Sequence, residues 1–305
     1  MANFYQNLLA QAEKLYRHNR QGSFKTKERY YEAFKRFLRF VAEEYRLEKL
    51  QNLSGKHMYS YFAHLKAKGL AASTIKTEAS AIRFWHDQIP NARHKLPSND
   101  DLSLERRHYG DKDRTWSDKA YNQMILECFG AQRLDYADGI ELALETGLRI
   151  HEMMRIDTAI ARAALKTGVI TIKGKGGRVR EIPVHEKAQI ALRNALERTK
   201  PGQKLFVPEG RETHAAIKEL QRFIRERRKK FRFPDSDERA PITFHGLRHT
   251  YAAENYTRLR RAGDSKREAK LKIAELLGHS RADIVNTYLT SVGESQFGDG
   301  GDDDV

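Results

Sequence analysis

Apolar residues recur at three- and four-residue spacings along most of this 305-residue chain, and one stretch shows the pattern of β-strands instead. The spacing predicts amphipathic helices that each bury one stripe. The exception comprises two β-branched runs, Val169–Ile172 and Val179–Val184, which flank the Gly-rich turn KGKGGR and predict an antiparallel hairpin. The predicted fold class is therefore mainly α with a small β-hairpin or sheet (α+β).

Residues 1–89 are predicted to be helical throughout and to form a compact bundle of about four helices. Within Thr26–Tyr45 the aromatic and aliphatic residues form one stripe, while most basic residues lie off it. Ser54 and Ser73 are the expected N-caps of two later helices, and Gly69 is the expected end of the first of these.

A change of composition predicts the boundary between two domains. Residues 90–114 lose apolar periodicity and gather Pro, Asn, Asp, Ser and Arg, which is typical of an exposed linker. Residues 115–292 return to helical patterns around the hairpin, and residues 293–305 form a Gly- and Asp-rich tail that we expect to be disordered. In the linker, Arg106 and Arg107 are candidate phosphate contacts, although a solvated linker is equally charged.

The chain is strongly basic, with 56 Lys and Arg against 41 Asp and Glu and a formal charge of +15. Nucleic acid is the commonest partner of such a chain. Charged residues also solvate helical surfaces, so the net charge alone does not decide between a DNA-binding protein and an ordinary helical one.

Several functional classes are disfavoured by the sequence. Cys128 is the only cysteine, so neither an internal disulfide nor a Cys-rich zinc site is expected. The N-terminus lacks the apolar run of a signal peptide, and no window approaches the roughly 18 apolar residues of a membrane span. His245 and His249 have the spacing of a zinc pair, but Arg248 lies between them and position 246 is not Glu. We expect a cytoplasmic protein with neither metal nor cofactor.

Two short motifs place cations where they could meet a polyanion. In HGLRH, the side chains of His245, Arg248 and His249 project from one face of a predicted helix, although a polar helix start can carry such residues by chance. In TGLRIHE, Arg149 is followed by Glu152, whose carboxylate could hold a neighbouring cation in place.

The hairpin and the C-terminal part of the chain add further candidates. Four basic residues crowd onto the hairpin and are candidate DNA contacts, with a solvated turn as the alternative: Lys173, Lys175, Arg178 and Arg180. Near the C-terminus, LLGHS carries His279, and Tyr288 follows nine residues later. A lone Tyr on an apolar-periodic helix most often belongs to the core.

In this order, TGLRIHE, the GKG hairpin, HGLRH, LGHS and the later Tyr resemble the tyrosine recombinase (phage integrase) family. The resemblance implies a helical, SAM-like core-binding domain over residues 1–89 and a catalytic domain over residues 115–292. It carries the family's active-site positions onto Arg149, Glu152, Lys175, His245, Arg248, His279 and Tyr288. The basic stretch before LGHS is longer than the family pattern, and TAIARAALKTG stands where a polar turn is usual.

The resemblance implies a site-specific DNA recombinase, an integrase or resolvase of a mobile element, that works through a 3′-phosphotyrosyl intermediate without metal or ATP. Tyr288 would be the nucleophile, and Arg149 and Arg248 would bind the phosphate. Lys175 would protonate the departing 5′ oxygen, and His245 would act as base or phosphate donor. His279 would orient the phosphate, with Glu152 and His249 in support.

The implied partners are double-stranded DNA with specific recombination sites, three further copies of the chain in a tetramer on DNA, and accessory DNA-bending proteins. Two alternatives remain open from the sequence. One is a catalytically silent DNA-binding regulator on the same scaffold. The other is a type IB topoisomerase, which shares the chemistry.

Overall fold

The structure of this chain is a computed structural model, and it describes residues 3–105, 112–174, 177, 179–231, 240–279 and 281–293. The chain divides into two compact units, Met1–His108 and Tyr109–Val305. Among the described residues, no helix has the length and apolar character needed to cross a membrane.

The described residues of the first unit form four α-helices and one 3₁₀ turn, as predicted. These are α1 (Phe4–His18), α2 (Phe24–Tyr45), the turn Leu50–Asn52, α3 (Gly55–Ala67) and α4 (Ala72–His86). Ser54 is the N-cap of α3, and its backbone N–H donates to Nδ1 of His57 at 3.0 Å. The prediction for Ser73 was wrong, because Ala71 is the N-cap residue of α4 and Ser73 lies inside the helix.

The core of the first unit includes part of the segment that the composition marks as a linker. Phe34, Phe37 and Trp85 are fully buried at its centre, and Leu102 is buried in the same cluster. Arg83 of α4 donates to the carbonyl of Pro97 at 2.7 Å, which ties this segment to the bundle. This segment is therefore anchored to the first unit at Pro97 and Leu102, while most of residues 90–105 are exposed.

The second unit consists of helices around one hairpin in its described residues. The helices are α5 (Asp118–Gly130), α6 (Leu134–Thr146), α7 (Ile150–Met153), α8 (Thr158–Thr167), α9 (Glu186–Glu197), α10 (Thr213–Arg227), α11 (Phe244–Arg261) and α12 (Lys266–Leu277). Strands β1 (Val169–Lys173) and β2 (Val179–Pro183) form the hairpin, and 3₁₀ segments cover Arg228–Lys230 and Ala282–Tyr288. The segment TAIARAALKTG thus forms α8, which starts after the N-cap Asp157.

The hairpin is antiparallel, with Val169 opposite Pro183 and Lys173 opposite Val179. Alternate residues of β2 point inward, so that Arg180 and Ile182 are buried while Val179 and Glu181 are exposed. This alternation follows from the two-residue period of a strand.

The first turn of α11 is held in place by the segment that precedes α5. The backbone N–H of Trp116 donates to Oγ1 of Thr250 at 2.8 Å, and its indole N–H donates to the carbonyl of Thr243 at 2.9 Å. A Cβ at Gly246 would lie 2.5 Å from the carbonyl oxygen of Arg114, so a glycine is needed for this close approach. These contacts fix the helix turn that carries HGLRH.

Candidate active site

Arg149 lies at the N-cap position of the short helix α7, two residues after a glycine that caps α6. This glycine, Gly147, has φ +63°, and a Cβ there would lie 2.5 Å from Cδ1 of Tyr251. Glu152 then binds Arg149 twice. Its Oε2 accepts the Arg149 backbone N–H at 2.9 Å, and its Oε1 accepts from Nη1 at 3.0 Å. The sequence prediction that Glu152 holds a neighbouring cation is consistent with this geometry.

Glu152 also binds a second arginine. Arg180 donates from Nη1 to Oε1 at 3.1 Å and from Nη2 to Oε2 at 2.7 Å, and the carboxylate is only 2% exposed. Burial opposes ionisation of Glu152, but the hydrogen bonds from Arg180 and from the backbone of Arg149, with both positive charges, lower its pKa to about 2. Arg180 was predicted to be a DNA contact on a flexible loop. That placement is wrong, because Arg180 lies in β2, is 9% exposed and faces inward.

Arg248 is completely buried and joins two chain segments through backbone carbonyls. Its Nη1 donates to the carbonyl of Gly147 at 2.7 Å, and its Nη2 donates to the carbonyl of Leu277 at 2.5 Å. Burial lowers its pKa to about 10, which still leaves the guanidinium charged at neutral pH. Arg248 therefore brings a fixed positive charge to the point where the ends of α6 and α12 meet.

Tyr288 and His279 meet next to this guanidinium. The hydroxyl of Tyr288 lies 3.1 Å from Nε2 of His279, and Nη2 of Arg248 lies 3.3 Å from the same nitrogen. Burial and the nearby charges, chiefly those of Arg248 and Arg149, lower the pKa of His279 to about 4, so its ring is neutral at pH 7. Because a guanidinium can only donate, Nε2 accepts, and Tyr288 is then the donor to it.

The two histidines of HGLRH flank Tyr288 from the first turn of α11. His249 is buried, and its ring centroid is 4.6 Å from that of Tyr288, whereas His245 is exposed at 6.0 Å. Burial, with a smaller contribution from His245, lowers the pKa of His249 to about 3. Desolvation by the surrounding protein, together with the positive charges of Arg248 and Arg149, lowers the pKa of His245 as well.

Some predicted residues lie outside this cluster or outside the described residues. Lys173 is exposed at the end of β1. Outside the described residues lie Arg106, Arg107, Lys175, Arg178 and the segment 294–305. A cavity of about 840 Å³ lies between the hairpin and α12, and Arg149, Arg180 and His279 all line it. Within the described ranges, no group of three or more His, Cys, Asp or Glu side chains could hold a metal ion.

The arrangement combines a hydroxyl with fixed positive charge. Arg149 lines the cavity with a partly exposed guanidinium, whose N–H donors match the oxygens of a phosphate, and the buried guanidinium of Arg248 adds a fixed positive charge beside Tyr288. Tyr288 offers a nucleophilic oxygen hydrogen-bonded to an imidazole. Such a site can bind a phosphodiester and attack it.

Two family models match the sequence of this chain. Residues 116–294 match the sequence model of the phage integrase family, and residues 13–88 match that of the phage integrase N-terminal SAM-like domain. The chain therefore belongs to the phage integrase family, whose members are tyrosine recombinases and act as DNA strand-transferring enzymes.

Individual relatives cover most of the chain. The tyrosine recombinase XerC of Natranaerobius thermophilus is 26% identical over 86% of this chain and 87% of its own length. The tyrosine recombinase XerD of Halalkalibacterium halodurans is 24% identical over 84% and 82%.

Two solved structures share the fold at 18% identity. One is the Tn1549 transposon integrase in complex with circular intermediate DNA, with a TM-score of 0.63 over 94% of this chain and 95% of that one. The other is a lambda integrase dimer bound to a core site, with a TM-score of 0.64 over 95% and 96%.

Proposed function

We propose that this protein is a site-specific DNA recombinase that breaks and rejoins DNA through a 3′-phosphotyrosyl intermediate on Tyr288, without metal or ATP. The observation that carries this proposal is the hydrogen-bonded sequence from Arg248 to His279 to the Tyr288 hydroxyl, within one chain. The nucleophile and the phosphate-binding cation therefore lie at the same site.

Attack on a phosphodiester builds negative charge on the non-bridging oxygens, and donors placed in advance stabilise that charge. Arg248 is held by two carbonyls and Arg149 by Glu152, so the positive charge of each is fixed in place before DNA binds. Guanidinium groups stay charged at any working pH. In our proposal these two residues contribute the largest share of transition-state stabilisation.

In the cleavage step, the Tyr288 oxygen forms a bond to phosphorus, the bond from phosphorus to the 5′ oxygen breaks, and the hydroxyl proton passes to a base. His245 is our candidate base, because its ring is exposed and its centroid lies 6.0 Å from that of the Tyr288 ring. His279 holds the hydroxyl in the DNA-free chain. Lys175 is our candidate acid for the departing 5′ oxygen.

The phosphotyrosyl ester retains the bond energy, so the 5′ hydroxyl of another strand can attack it and rejoin the DNA. Four strands must be cut for a full exchange, and we therefore propose a homo-tetramer on two specific double-stranded sites. A lambda integrase tetramer bound to a Holliday junction has the same fold, with a TM-score of 0.61. We further propose action on a mobile element in the cytoplasm, with accessory DNA-bending proteins and with Lys173, Arg178, Arg106 and Arg107 as phosphate contacts.

A suicide substrate tests this function. Nicked duplexes that cover the flanks of the encoding gene are incubated with the protein, and an SDS-resistant protein–DNA adduct is sought. We expect an adduct with the wild type, none with Tyr288→Phe, and wild-type yield with Tyr59→Phe, which alters an exposed tyrosine of α3. No wild-type adduct on any flank would refute the proposal, and relaxation of plasmids that lack a site would indicate a topoisomerase instead.

A further inference from the structure

The inward-facing arginine of β2 has contacts that the sequence did not suggest. We infer that Arg180 is a positioning residue for strand cleavage. It holds Glu152, and through Glu152 also Arg149, at a fixed position relative to the C-terminal end of α12, which leads to His279. The inference rests on the proposed function. It assigns to Arg180 a role in rate rather than in DNA binding.

The guanidinium of Arg180 is bound on all three of its nitrogens. Nη1 and Nη2 fork onto the Glu152 carboxylate, and Nε donates to the carbonyl of Leu276 at 3.1 Å. The side chain is 7% exposed. An arginine whose fork is bound to a carboxylate in this way is placed to orient that carboxylate rather than to bind a DNA phosphate.

Glu152 transmits the position of Arg180 to Arg149. Each carboxylate oxygen accepts one hydrogen bond from Arg149 and one from Arg180, so that all four acceptor positions are occupied. The carboxylate cannot turn without breaking contacts to both arginines. Arg149, whose side chain is 25% exposed, is thereby fixed with part of its guanidinium facing the cavity.

Arg180 also holds the C-terminal end of α12. Arg180 binds the carbonyl of Leu276, and Arg248 binds that of the next residue, Leu277. Carbonyls at a helix C-terminus carry partial negative charge, which favours cations there. Gly278 follows with φ +67°, and a Cβ at this position would lie 3.0 Å from Cδ of Arg180. Arg180 therefore borders the turn from which His279 reaches Tyr288.

A rate measurement separated from a binding measurement tests this role. Adduct formation is followed in single turnover at saturating suicide substrate, and the dissociation constant is measured over a KCl series. For Arg180→Gln we expect the rate to fall roughly 10- to 100-fold, as is typical when a supporting residue of an active site is removed. We expect the dissociation constant and its salt slope to stay within twofold of the wild type. Arg180→Lys keeps the charge but loses the forked pair of donors, so its cleavage rate should lie between that of the wild type and that of Arg180→Gln.

Two matched variants calibrate the measurements. Arg193→Gln removes an exposed arginine of α9 and should change neither rate nor affinity. Lys173→Gln removes an exposed cation of the same hairpin and should reduce the salt slope by about one, as expected for a phosphate contact.

Three results would overturn the inference. The first is a cleavage rate of Arg180→Gln equal to that of the wild type at saturating DNA, and the second is a salt slope of Arg180→Gln reduced as in Lys173→Gln with the rate unchanged. If Arg180→Gln does not fold, the third is an Arg180→Lys variant that folds and cleaves at the wild-type rate. A wild-type protein that forms no adduct would instead refute the proposed function. The two failures are thus distinguishable.

Discussion

The hydroxyl of Tyr288 lies 3.1 Å from Nε2 of His279, which in turn lies 3.3 Å from Nη2 of Arg248 in the same chain. The proposed nucleophile and the proposed phosphate-binding arginine therefore lie together within one chain. We propose that a tyrosine held in this way attacks the phosphate bound by its own chain.

Mixing two inactive variants tests attack within one protomer. Tyr288→Phe lacks the nucleophile, and Arg248→Ala lacks a phosphate donor, so neither should form an adduct alone. Because each site needs both residues from one chain, we expect the mixture to remain inactive on a suicide substrate. Adduct formation by the mixture, carried by the Arg248→Ala chain, would show that the tyrosine is donated between protomers.

Arg149→Ala should slow cleavage far more than it weakens binding. It removes a preorganised donor to the developing charge, which costs about 3–4 kcal/mol of barrier, or roughly 10²- to 10³-fold in rate. Single-turnover adduct formation at saturating DNA measures this effect. Arg155→Ala, which alters the exposed arginine just beyond α7, is the control. A loss confined to affinity would mean that Arg149 is only a DNA contact.

Stability should fall as the pH is lowered below neutrality. The pKa values of His249 and His279 are lowered to about 3 and about 4, so between these values and 6.5 the unfolded chain binds more protons than the folded one. At pH 5 the buried His249 ring should cost about 2 kcal/mol relative to pH 7.5, and the partly exposed His279 ring should cost less. Urea unfolding at the two pH values measures this difference.

The variant His249→Gln should reduce that pH dependence by the share of one histidine, about 2 kcal/mol. The variant His18→Gln alters an exposed ring of α1 and serves as control. An unchanged difference between pH 5 and pH 7.5 in His249→Gln would contradict the assignment of a neutral, buried His249.

Gly147→Ala should destabilise the second unit strongly. Its φ of +63° disfavours any Cβ, and the added atom would lie 2.5 Å from Cδ1 of Tyr251. We expect the free energy of unfolding to drop by about 3 kcal/mol, with slower cleavage because the Gly147 carbonyl anchors Arg248. Gly168→Ala has a similar φ of +72° but open space around it, and should cost only about 1 kcal/mol. Equal losses in the two variants would contradict the steric argument.

Much of the fold was predictable because helix signals are local. The stripe of α2, the cap of α3 and the hairpin all depend on residues a few positions apart, and each was found. The prediction for Ser73 failed because the N-cap of α4 lies two residues earlier, at Ala71. The packing of Leu102 was missed because a single apolar residue among polar ones has no period.

The candidate site was also predictable only in part from the sequence. Short motifs predicted that Arg149, Arg248, His279 and Tyr288 belong together, and the structure brings them together across more than a hundred residues. The prediction for Arg180 was wrong because it relied on the positive charge of the side chain and not on the position of the residue in the strand. Arg180 shares the two-residue period of the buried Ile182 and Val184, and that signal could have placed it inside. Its partner Glu152 is remote in sequence, so the pair itself was not visible.

The most direct test of the central claim is to identify the amino acid that is joined to DNA. The wild-type adduct is digested with nuclease and trypsin, and the nucleotide-bearing peptide is sequenced by mass spectrometry. Trypsin cleaves after Arg281, and Tyr288 is the only tyrosine of the sequence beyond that point. We predict a 3′-phosphonucleotide on Tyr288 in the peptide that begins at Ala282. A nucleotide on any other residue, or a 5′-phosphate linkage, would contradict the account.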